Sequence, residues 1–217
     1  MTEIVRTEDG SDTLYVREMD EHYHSIHGAK QESEHIFIKC GYDYFTGNNI
    51  RIFEAGFGTG LNAILTLIKN QENRKVSYTT IENRPLPSEL VAKLNYPDLI
   101  PPEFRECFRE IHSCGWGSVN KITEKFSLLK IREDLTTCKL TGEYDLIYFD
   151  AFGPDKQPEM WTDEIFRKIS SVTVRDGIIV TYSAKGKVRR SLCRNGFNVT
   201  LLPGPPGKRQ MIRGVRI

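Results

Sequence analysis

A strand–turn–helix unit at residues 50–69 constrains the fold of this chain more than any other feature. The run IRIFEA is apolar enough for a buried strand, and residues 61–69 have the apolar spacing of a helix. Between them, GFGTG places glycines at positions 56, 58 and 60. Glycine lets the backbone turn tightly and lets a ligand approach without a Cβ in the way. We therefore predict a βα unit of an α/β sheet, with its turn facing a ligand.

The same alternation continues to the end of the chain. Further apolar runs predict strands at 77–82, 126–131, 144–150, 177–183, 197–202 and 210–215, and helical patterns lie at 86–95, 158–170 and 185–195. Strands that alternate with helices favour a doubly wound, mostly parallel α/β sheet of the Rossmann-like kind. In such sheets, ligands bind beyond the carboxyl ends of the strands.

The first 45 residues follow a different pattern. Residues 3–6 and 13–17 alternate apolar and polar side chains around TEDGSD, which predicts a hairpin, and 29–37 fit a helix. We predict an N-terminal appendage at 1–45 and the main domain at 46–217. Residues 97–120 are an insertion rich in proline and aromatic residues to which the pattern assigns no structure.

Composition narrows the class of protein. With 217 residues, 39% of them hydrophobic, and a net charge of +1, the chain suits one globular domain, and any basic surface must be local. It has no run of roughly 20 apolar residues and no secretory leader, so we expect no membrane association. Its five cysteines form no CxxC pair, which indicates reduced thiols and a cytoplasmic location. The histidines at 22, 24, 27 and 35 match no common zinc spacing, so no metal is predicted.

The spacing of the glycine loop separates two kinds of ligand. A dinucleotide fingerprint needs a third glycine at its sixth position, where this chain has Leu61. Glu54, two residues before the first glycine, suits a cationic ligand better than a pyrophosphate. S-adenosyl-L-methionine carries a sulfonium and an amino group, and its carboxylate can meet helix N-terminal amides. We predict that it binds at Glu54, Gly56, Phe57, Gly58, Thr59 and Gly60; a purely structural turn and a nicotinamide site are the alternatives.

Carboxylates end three other predicted strands. Glu82 could accept hydrogen bonds from a ribose diol, although a solvated strand end would look the same. Asp134 could receive an adenine amino group or could cap a helix. Asp150 is placed to face the transferable group, where it could orient an amine and accept its proton, with capping of the following turn as the alternative.

At these residues the sequence resembles a known family, the methyltransferase domain of the bifunctional tRNA 5-methylaminomethyl-2-thiouridine enzymes (MnmC-type), within the class I methyltransferase superfamily. The resemblance runs from about residue 13 to the C-terminus, and its markers are YHSIHGAKQESEHIFI, FEAGFGTGLNA, DAFGPDKQPEMWT and GPPGKRQMIRG. It implies a class I methyltransferase fold. It also implies methyl transfer from S-adenosyl-L-methionine to the exocyclic amine of 5-aminomethyl-(2-thio)uridine at the tRNA wobble position.

The resemblance also assigns residues. By motif, Asp150 is the catalytic acid/base, Asn62 joins the cofactor loop, and Glu32 contributes to the substrate pocket. Two-domain members carry a flavin-dependent oxidase that prepares the substrate. We expect the stand-alone form here, with a separate enzyme supplying the aminomethyl group.

Recognition of tRNA should need stacking surfaces and local positive charge. Tyr23, Phe152 and Trp161 are candidates to stack on a wobble base splayed from the anticodon loop. KGKVRR at 185–190 and GKR at 207–209 are basic runs after predicted strands, and Lys208 and Arg209 are the predicted RNA contacts. Each aromatic side chain could instead lie in the core, and each basic run could be a solvated surface.

Two other functions stay open at this stage. Aminopropyl transfer to a polyamine uses a similar scaffold but needs a strongly acidic substrate site. A non-catalytic module that binds S-adenosyl-L-methionine or RNA would not need Asp150.

Overall fold

The computed structural model describes residues 2–70 and 74–217 and contains two sheets. A small antiparallel sheet holds β1 (Thr2–Arg6), β2 (Asp12–Val16) and β3 (Glu21–His22). The central sheet holds β4 (Asn49–Ala55), β5 (Lys75–Ile81), β6 (Val119–Thr123), β7 (Phe126–Ile131), β8 (Tyr144–Phe149), β9 (Thr173–Thr181), β10 (Phe197–Pro203) and β11 (Gln210–Arg216).

The strand order of the central sheet is β10-β11-β9-β8-β4-β5-β7-β6. The five inner strands from β9 to β7 run parallel, and β6, β11 and β10 join antiparallel. The chain leaves β4 in one direction through β5 and β7, then returns to β8 on the other side. A crevice therefore opens between the carboxyl ends of β4 and β8, where α/β sheets bind ligands. The predicted α/β, Rossmann-like fold is confirmed.

The side chains of strand β4 show that the sheet is buried on both faces. Ile50 and Ile52 belong to one apolar cluster, and Phe53 and Ala55 belong to the other. Glu54 is the polar exception, fully buried and in register with Thr80 of β5 and Tyr148 of β8. A carboxylate in such a position is costly unless it is hydrogen-bonded, paired or protonated.

The helices are α1 (Ala29–Ser33), α2 (Leu61–Lys69), α3 (Ser88–Val91), α4 (Tyr96–Leu99), α5 (Arg105–Ser113), α6 (Asp163–Val172) and α7 (Gly186–Arg194). The α2 prediction is confirmed at both ends. Helix α1 continues as a π-helical turn, Glu34–Lys39, which buries Ile36 and Phe37 beside Ile52. The predicted helix 158–170 is divided at Thr162, whose side chain caps α6 by accepting a hydrogen bond from the Ile165 amide at 3.3 Å.

The predicted helix at 86–95 is wrong in extent. In this stretch only the four residues of α3 are helical. The helix begins after Pro87, which is its N-cap, and tertiary contacts replace helical hydrogen bonds beyond Val91. Asn95 and Asp12 exchange two backbone-to-side-chain hydrogen bonds of 2.9 Å, which tie this segment to β2. A long-range pairing has replaced the local helical bonds.

The unassigned insertion contains α4, α5 and the start of β6. Helix α5 is amphipathic, with Phe108 and Ile111 buried. Strand β6 went unrecognised because it is a mostly polar edge strand with a bulge between Lys121 and Thr123.

The predicted N-terminal hairpin is confirmed, with Thr2 opposite Val16, and β3 adds a third strand through Tyr15 and His22. The boundary between 1–45 and 46–217 stays a prediction. None of the helices in the described ranges is long and apolar enough to cross a bilayer.

Candidate active site

A cavity of about 980 Å³ opens at the carboxyl ends of the inner strands. Its walls come from the turn after β4, the ends of β5 and β8, and the N-terminal segment after β3. Most of the predicted site residues line it: Tyr23, Glu32, Gly56, Phe57, Gly58, Thr59, Asn62, Glu82, Asp134, Asp150, Phe152 and Lys208. Glu54, Gly60 and Arg209 do not.

The glycine turn is packed too closely for side chains at two of its positions. Gly56 has φ +93°, and a Cβ there would lie 2.8 Å from the carbonyl oxygen of Asp150. Gly60 has φ +69°, and its Cβ would lie 2.7 Å from His112 Nε2. Glycine is therefore required both by backbone conformation and by space. The turn brings the main chain itself to the cavity wall.

One amide connects the two central carboxylates. Asn62, in the first turn of α2, donates through Nδ2 to Glu54 Oε1 at 3.1 Å and to Asp150 Oδ2 at 2.8 Å. Glu54 lies beneath the turn and has no surface in the cavity, whereas Asp150 lines it. Glu54 therefore supports Asn62 from below, and its predicted contact with a ligand stays a prediction.

Both carboxylates hold protons more tightly than usual. Burial raises the pKa of Glu54 to about 8, with a further contribution from the nearby Asp150 charge. Burial also raises the pKa of Asp150 to about 7, and Glu32 adds to this, while Asn62 and Lys208 oppose it. A carboxylate that titrates near pH 7 is suited to exchange protons with a substrate.

The other two strand-end carboxylates, Glu82 and Asp134, also line the cavity. Glu82 accepts hydrogen bonds from the Gly58 amide at 3.2 Å and the Arg84 amide at 2.9 Å. Asp134 accepts from the amide and hydroxyl of Thr136 at 2.8 and 2.6 Å, so it closes a turn as well as lining the cavity. Asp134 therefore closes a turn and does not cap a helix, and its predicted adenine contact stays a prediction.

An internal ion pair forms the opposite wall. Glu32 is 6% exposed, accepts a hydrogen bond from the Ser25 amide at 2.7 Å, and is paired with Lys208. Lys208 Nζ also lies 4.3 Å from the centre of the Tyr182 ring, and Tyr182 donates to the carbonyl of Ala151 at 2.7 Å. Sequence reasoning missed Tyr182, because a tyrosine after a strand carries no distinctive signal.

The aromatic candidates divide into two groups. Tyr23 and Phe152 line the cavity with ring centres 4.9 Å apart in an edge-to-face arrangement, and burial raises the pKa of Tyr23 to about 12. Trp161 is 5% exposed, packs 5.0 Å from Phe149, and donates its indole proton to Phe152 O at 2.7 Å. Stacking of Trp161 on a base was therefore wrong: it is a core residue that supports Phe152.

The predicted basic pair is also divided. Lys208 points into the cavity, whereas Arg209 is exposed outside it. The run 185–190 opens α7 and presents exposed Lys187, Arg189 and Arg190. Positive charge thus lies both inside the cavity and on an outer helix.

The four histidines of the N-terminal segment have separate surroundings. His24 is buried, which lowers its pKa to about 4. His22 packs on Tyr15, His27 pairs with Glu8 at 3.0 Å, and His35 donates to Pro203 O at 2.9 Å. Within residues 2–70 and 74–217, no cluster of three or more His, Cys, Asp or Glu side chains could hold a metal ion.

The residues present fit S-adenosyl-L-methionine. The turn that a Cβ would obstruct, the carboxylates on both sides of it, and the buried Asn62 Oδ1, which has no protein partner within the described residues, together offer backbone approach and acceptors for a cationic ligand. The crevice lies at the switch point of the sheet.

Comparison with known proteins agrees with this geometry. A family model described as S-adenosyl-L-methionine-dependent methyltransferase matches residues 116–217. Over 210 residues, the chain is 30% identical to the tRNA 5-methylaminomethyl-2-thiouridine biosynthesis bifunctional protein MnmC of Leptospira borgpetersenii serovar Hardjo-bovis, covering 90% of this chain and 32% of that protein. The MnmC of Cupriavidus metallidurans is 29% identical over 231 residues, with 96% and 33% coverage.

Two solved structures are informative. MnmC2 from Aquifex aeolicus superposes with a TM-score of 0.81 at 27% identity, covering 99% of this chain and 69% of that chain. Spermidine synthase from Thermotoga maritima superposes with a TM-score of 0.59 at 13% identity, covering 99% and 68%, which shows a shared fold alone.

The fold, the site and the matched family define the class: this chain is an S-adenosyl-L-methionine-dependent methyltransferase. Within that class it is similar to the methyltransferase part of the MnmC proteins. The chain spans about a third of the length of the curated relatives it matches. The predicted resemblance and the predicted cofactor are confirmed.

Proposed function

We propose that this chain methylates the exocyclic amine of 5-aminomethyl-(2-thio)uridine at the wobble position of tRNA, giving 5-methylaminomethyl-(2-thio)uridine. One observation carries the proposal: Asp150, a carboxylate with a pKa near 7, shares one cavity with the glycine turn and is held there by Asn62. The names of the MnmC relatives supply the substrate class.

The residues of the turn would hold the donor. Gly56, Gly58 and Asn62 provide the backbone approach and the polar contact, and Glu82 and Asp134 provide acceptors farther along the cavity. When bound, S-adenosyl-L-methionine supplies an activated methyl group on a sulfonium. The task of the protein is then mostly alignment, which can contribute several kcal/mol, on the order of 7.

Asp150 would act on the incoming nitrogen. An alkylamine is largely protonated at neutral pH, and only its neutral form has a free electron pair. The Asp150 carboxylate can orient the ammonium group and accept its proton. Asn62 keeps one carboxylate oxygen fixed, so the other remains free to meet the amine.

Base recognition would fall to the part of the cavity wall that carries the aromatic side chains. Tyr23 and Phe152 expose ring surface to the cavity, where a base turned out of the anticodon loop can stack. Glu32 is the second acid on that wall, and Lys208 neutralises it. We propose that the exposed arginines of α7, together with Arg209, contact the tRNA backbone, and that a separate enzyme supplies the aminomethyl group.

The aminopropyl-transfer alternative is not favoured. The likeness to spermidine synthase, at 13% identity, concerns the fold only. The relatives that cover most of this chain at 29–30% identity are MnmC proteins.

A single assay tests the function. The protein is incubated with donor labelled in its methyl group and bulk tRNA from cells that lack the final methylation, and the tRNA is digested to nucleosides. We expect label in 5-methylaminomethyluridine nucleosides, and at least about 10²-fold less with D150N. A parallel reaction with a polyamine and the decarboxylated donor, labelled in its aminopropyl group, tests the alternative. Labelled polyamine in that reaction, or no label in the tRNA, would overturn the proposal.

A further inference from the structure

The end of α5 lies against the back of the glycine turn. His112 donates through Nε2 to the carbonyl oxygen of Thr59 at 3.2 Å. The same nitrogen is the atom that a Cβ at Gly60 would strike, and the His112 ring centre lies 5.4 Å from that of Phe57. One imidazole therefore lies against three residues of the cofactor turn, Phe57, Thr59 and Gly60, and does not itself line the cavity.

The imidazole is itself held in place. Phe108 packs edge-to-face on it at 4.7 Å, and burial lowers the pKa of His112 to about 4, with Lys130 adding to the effect. At physiological pH the ring is neutral and carries one proton. The hydrogen bond to Thr59 requires that proton on Nε2, which fixes the tautomer.

A buried lysine anchors the element that carries His112. Lys130 of β7 is fully buried and donates to the last carbonyls of α5, Ile111 O at 2.8 Å and His112 O at 2.9 Å. A cation at a helix C-terminus stabilises both the unpaired carbonyls and the helix dipole. Its Nζ also lies 5.1 Å from the Trp116 ring centre and 5.7 Å from that of Phe57.

The main chain closes the connection to the sheet. The Gly117 amide donates to Lys130 O at 2.8 Å, and Trp116 bridges to the same residue in parallel register. The segment 105–117 is thus fastened to β7 at one end and presents His112 to the turn. The sequence of this insertion, rich in proline and aromatic residues, did not predict its attachment to β7 or the position of His112.

We propose that His112 is a positioning residue for the methyl donor, and that the segment 105–117 with Lys130 forms a brace that sets the glycine turn in its binding conformation. The proposal rests on the proposed function, since it concerns the same donor. His112 has no surface in the cavity, so it acts through Thr59, Gly60 and Phe57.

The expected effect is on donor binding more than on chemistry. Thr59 and Phe57 line the cavity, and without the hydrogen bond the Thr59 carbonyl loses its partner and the turn can relax. Once donor is bound at saturation, Asp150 and Asn62 are unaffected. A positioning role therefore predicts a raised KM and Kd for the donor with a nearly unchanged kcat.

The test compares three variants by calorimetric titration with S-adenosyl-L-homocysteine and by steady-state kinetics. H112L should raise Kd and the donor KM by about tenfold, the equivalent of one hydrogen bond of about 1.4 kcal/mol. H112Q, whose amide can reach the same carbonyl, should stay within about threefold of wild type. H35L is the matched control, because His35 also donates to a carbonyl, but outside the cavity.

The outcomes separate the two proposals. If the wild-type chain binds no donor product, the proposed function fails. If the wild type binds and H112L binds equally well, the brace fails. Thermal melts accompany each variant; should H112L not melt cooperatively, H112N replaces it, since that shorter amide does not reach Thr59 and should weaken binding to the same extent. Equal affinity of H112N and H112Q would also overturn the brace.

Discussion

Asn62 shows how one side chain can organise a site. Its Nδ2 uses both protons, one on the fully buried Glu54 and one on Asp150 at the cavity wall. Two acids that would otherwise repel each other are thereby held at fixed positions. The pKa of each is raised, because both lie in protein rather than water.

The first residue-scale prediction concerns Asp150 and pH. Its pKa lies at about 7, so the proton-accepting carboxylate is lost as pH falls through that value. We expect kcat/KM to fall about tenfold per pH unit below pH 7. D150N should lower kcat at pH 8 by about 10²-fold or more and leave donor Kd within a few fold. Full activity of D150N would contradict the proton-accepting role.

The second residue-scale prediction concerns Lys208. This cation lowers the pKa of Asp150, whereas Glu32 raises it. The neutral hydroxyls of Tyr78 and Tyr182 also lie near these acids. Replacing Lys208 with methionine leaves Glu32 unneutralised. In K208M the acidic limb of the pH–rate profile should move up by about one unit.

K208R retains the charge and is the matched control for K208M, with a limb expected at the wild-type position. The measurement is kcat/KM between pH 6 and 9. A K208M limb at the wild-type pH, or a downward shift, would show that Lys208 has no electrostatic influence on Asp150.

At the scale of elements, α7 is the helix best placed to meet RNA. It packs on β10 and α6, buries Val188 and Leu192, and leaves its basic side chains outside. Lys185 is paired with Asp155 and Arg194 with Asp163, so Arg189 and Arg190 are the better candidates for phosphate contacts. Reversal of Lys208 is unsuitable as an RNA-binding test, because it would place a second acid against Glu32.

The element-scale prediction is that R189E/R190E weakens tRNA binding without changing donor Kd. Each lost phosphate contact also reduces the slope of log Kd against log salt by about 0.7 to 0.9. K75E/R175E makes the same change in charge at exposed positions near the amino ends of β5 and β9, away from α7, and is the control. Equal tRNA affinity of the two double variants, measured by filter binding at low salt, would contradict an α7 interface.

Elements whose signals are local were predictable. The α2 helix and β7 have the expected bounds because their apolar periods are local, and Gly60 marks the start of α2. The helix expected at 86–95 failed because Asn95 pairs with Asp12, more than eighty residues away in the chain. No local pattern carries information about that pairing.

At the scale of the whole molecule, burial of the Glu54 carboxyl group lowers the free energy of unfolding as pH rises. Its folded-state pKa is raised from 4.5 to about 8, so the native state binds a proton that the unfolded chain has released. This contribution to stability is complete below about pH 4.5 and is lost as pH rises through 8. The buried histidines 24 and 112 act oppositely, since their pKa values of about 4 lower stability as pH falls below 6.5.

The whole-molecule prediction follows from the loss of stability that Glu54 causes as pH rises. E54Q should have a larger free energy of unfolding than wild type at pH 8, by on the order of 2 kcal/mol, and the difference should vanish towards pH 5. Urea unfolding at the two pH values measures it, with exposed E103Q as control. A destabilised E54Q at pH 8 would mean that Glu54 is ionised and favourably solvated by its neighbours.

The sequence by itself determined the βα alternation, the glycine turn and the acids at the strand ends, because apolar period, backbone freedom and strand termination are properties of short segments. Only the tertiary structure decided what those residues touch. It placed Lys208 against Glu32 across 176 positions of chain, moved Glu54 beneath the cavity, and set His112 behind the turn. Such contacts depend on how elements pack, and packing is settled by the whole set of buried surfaces together.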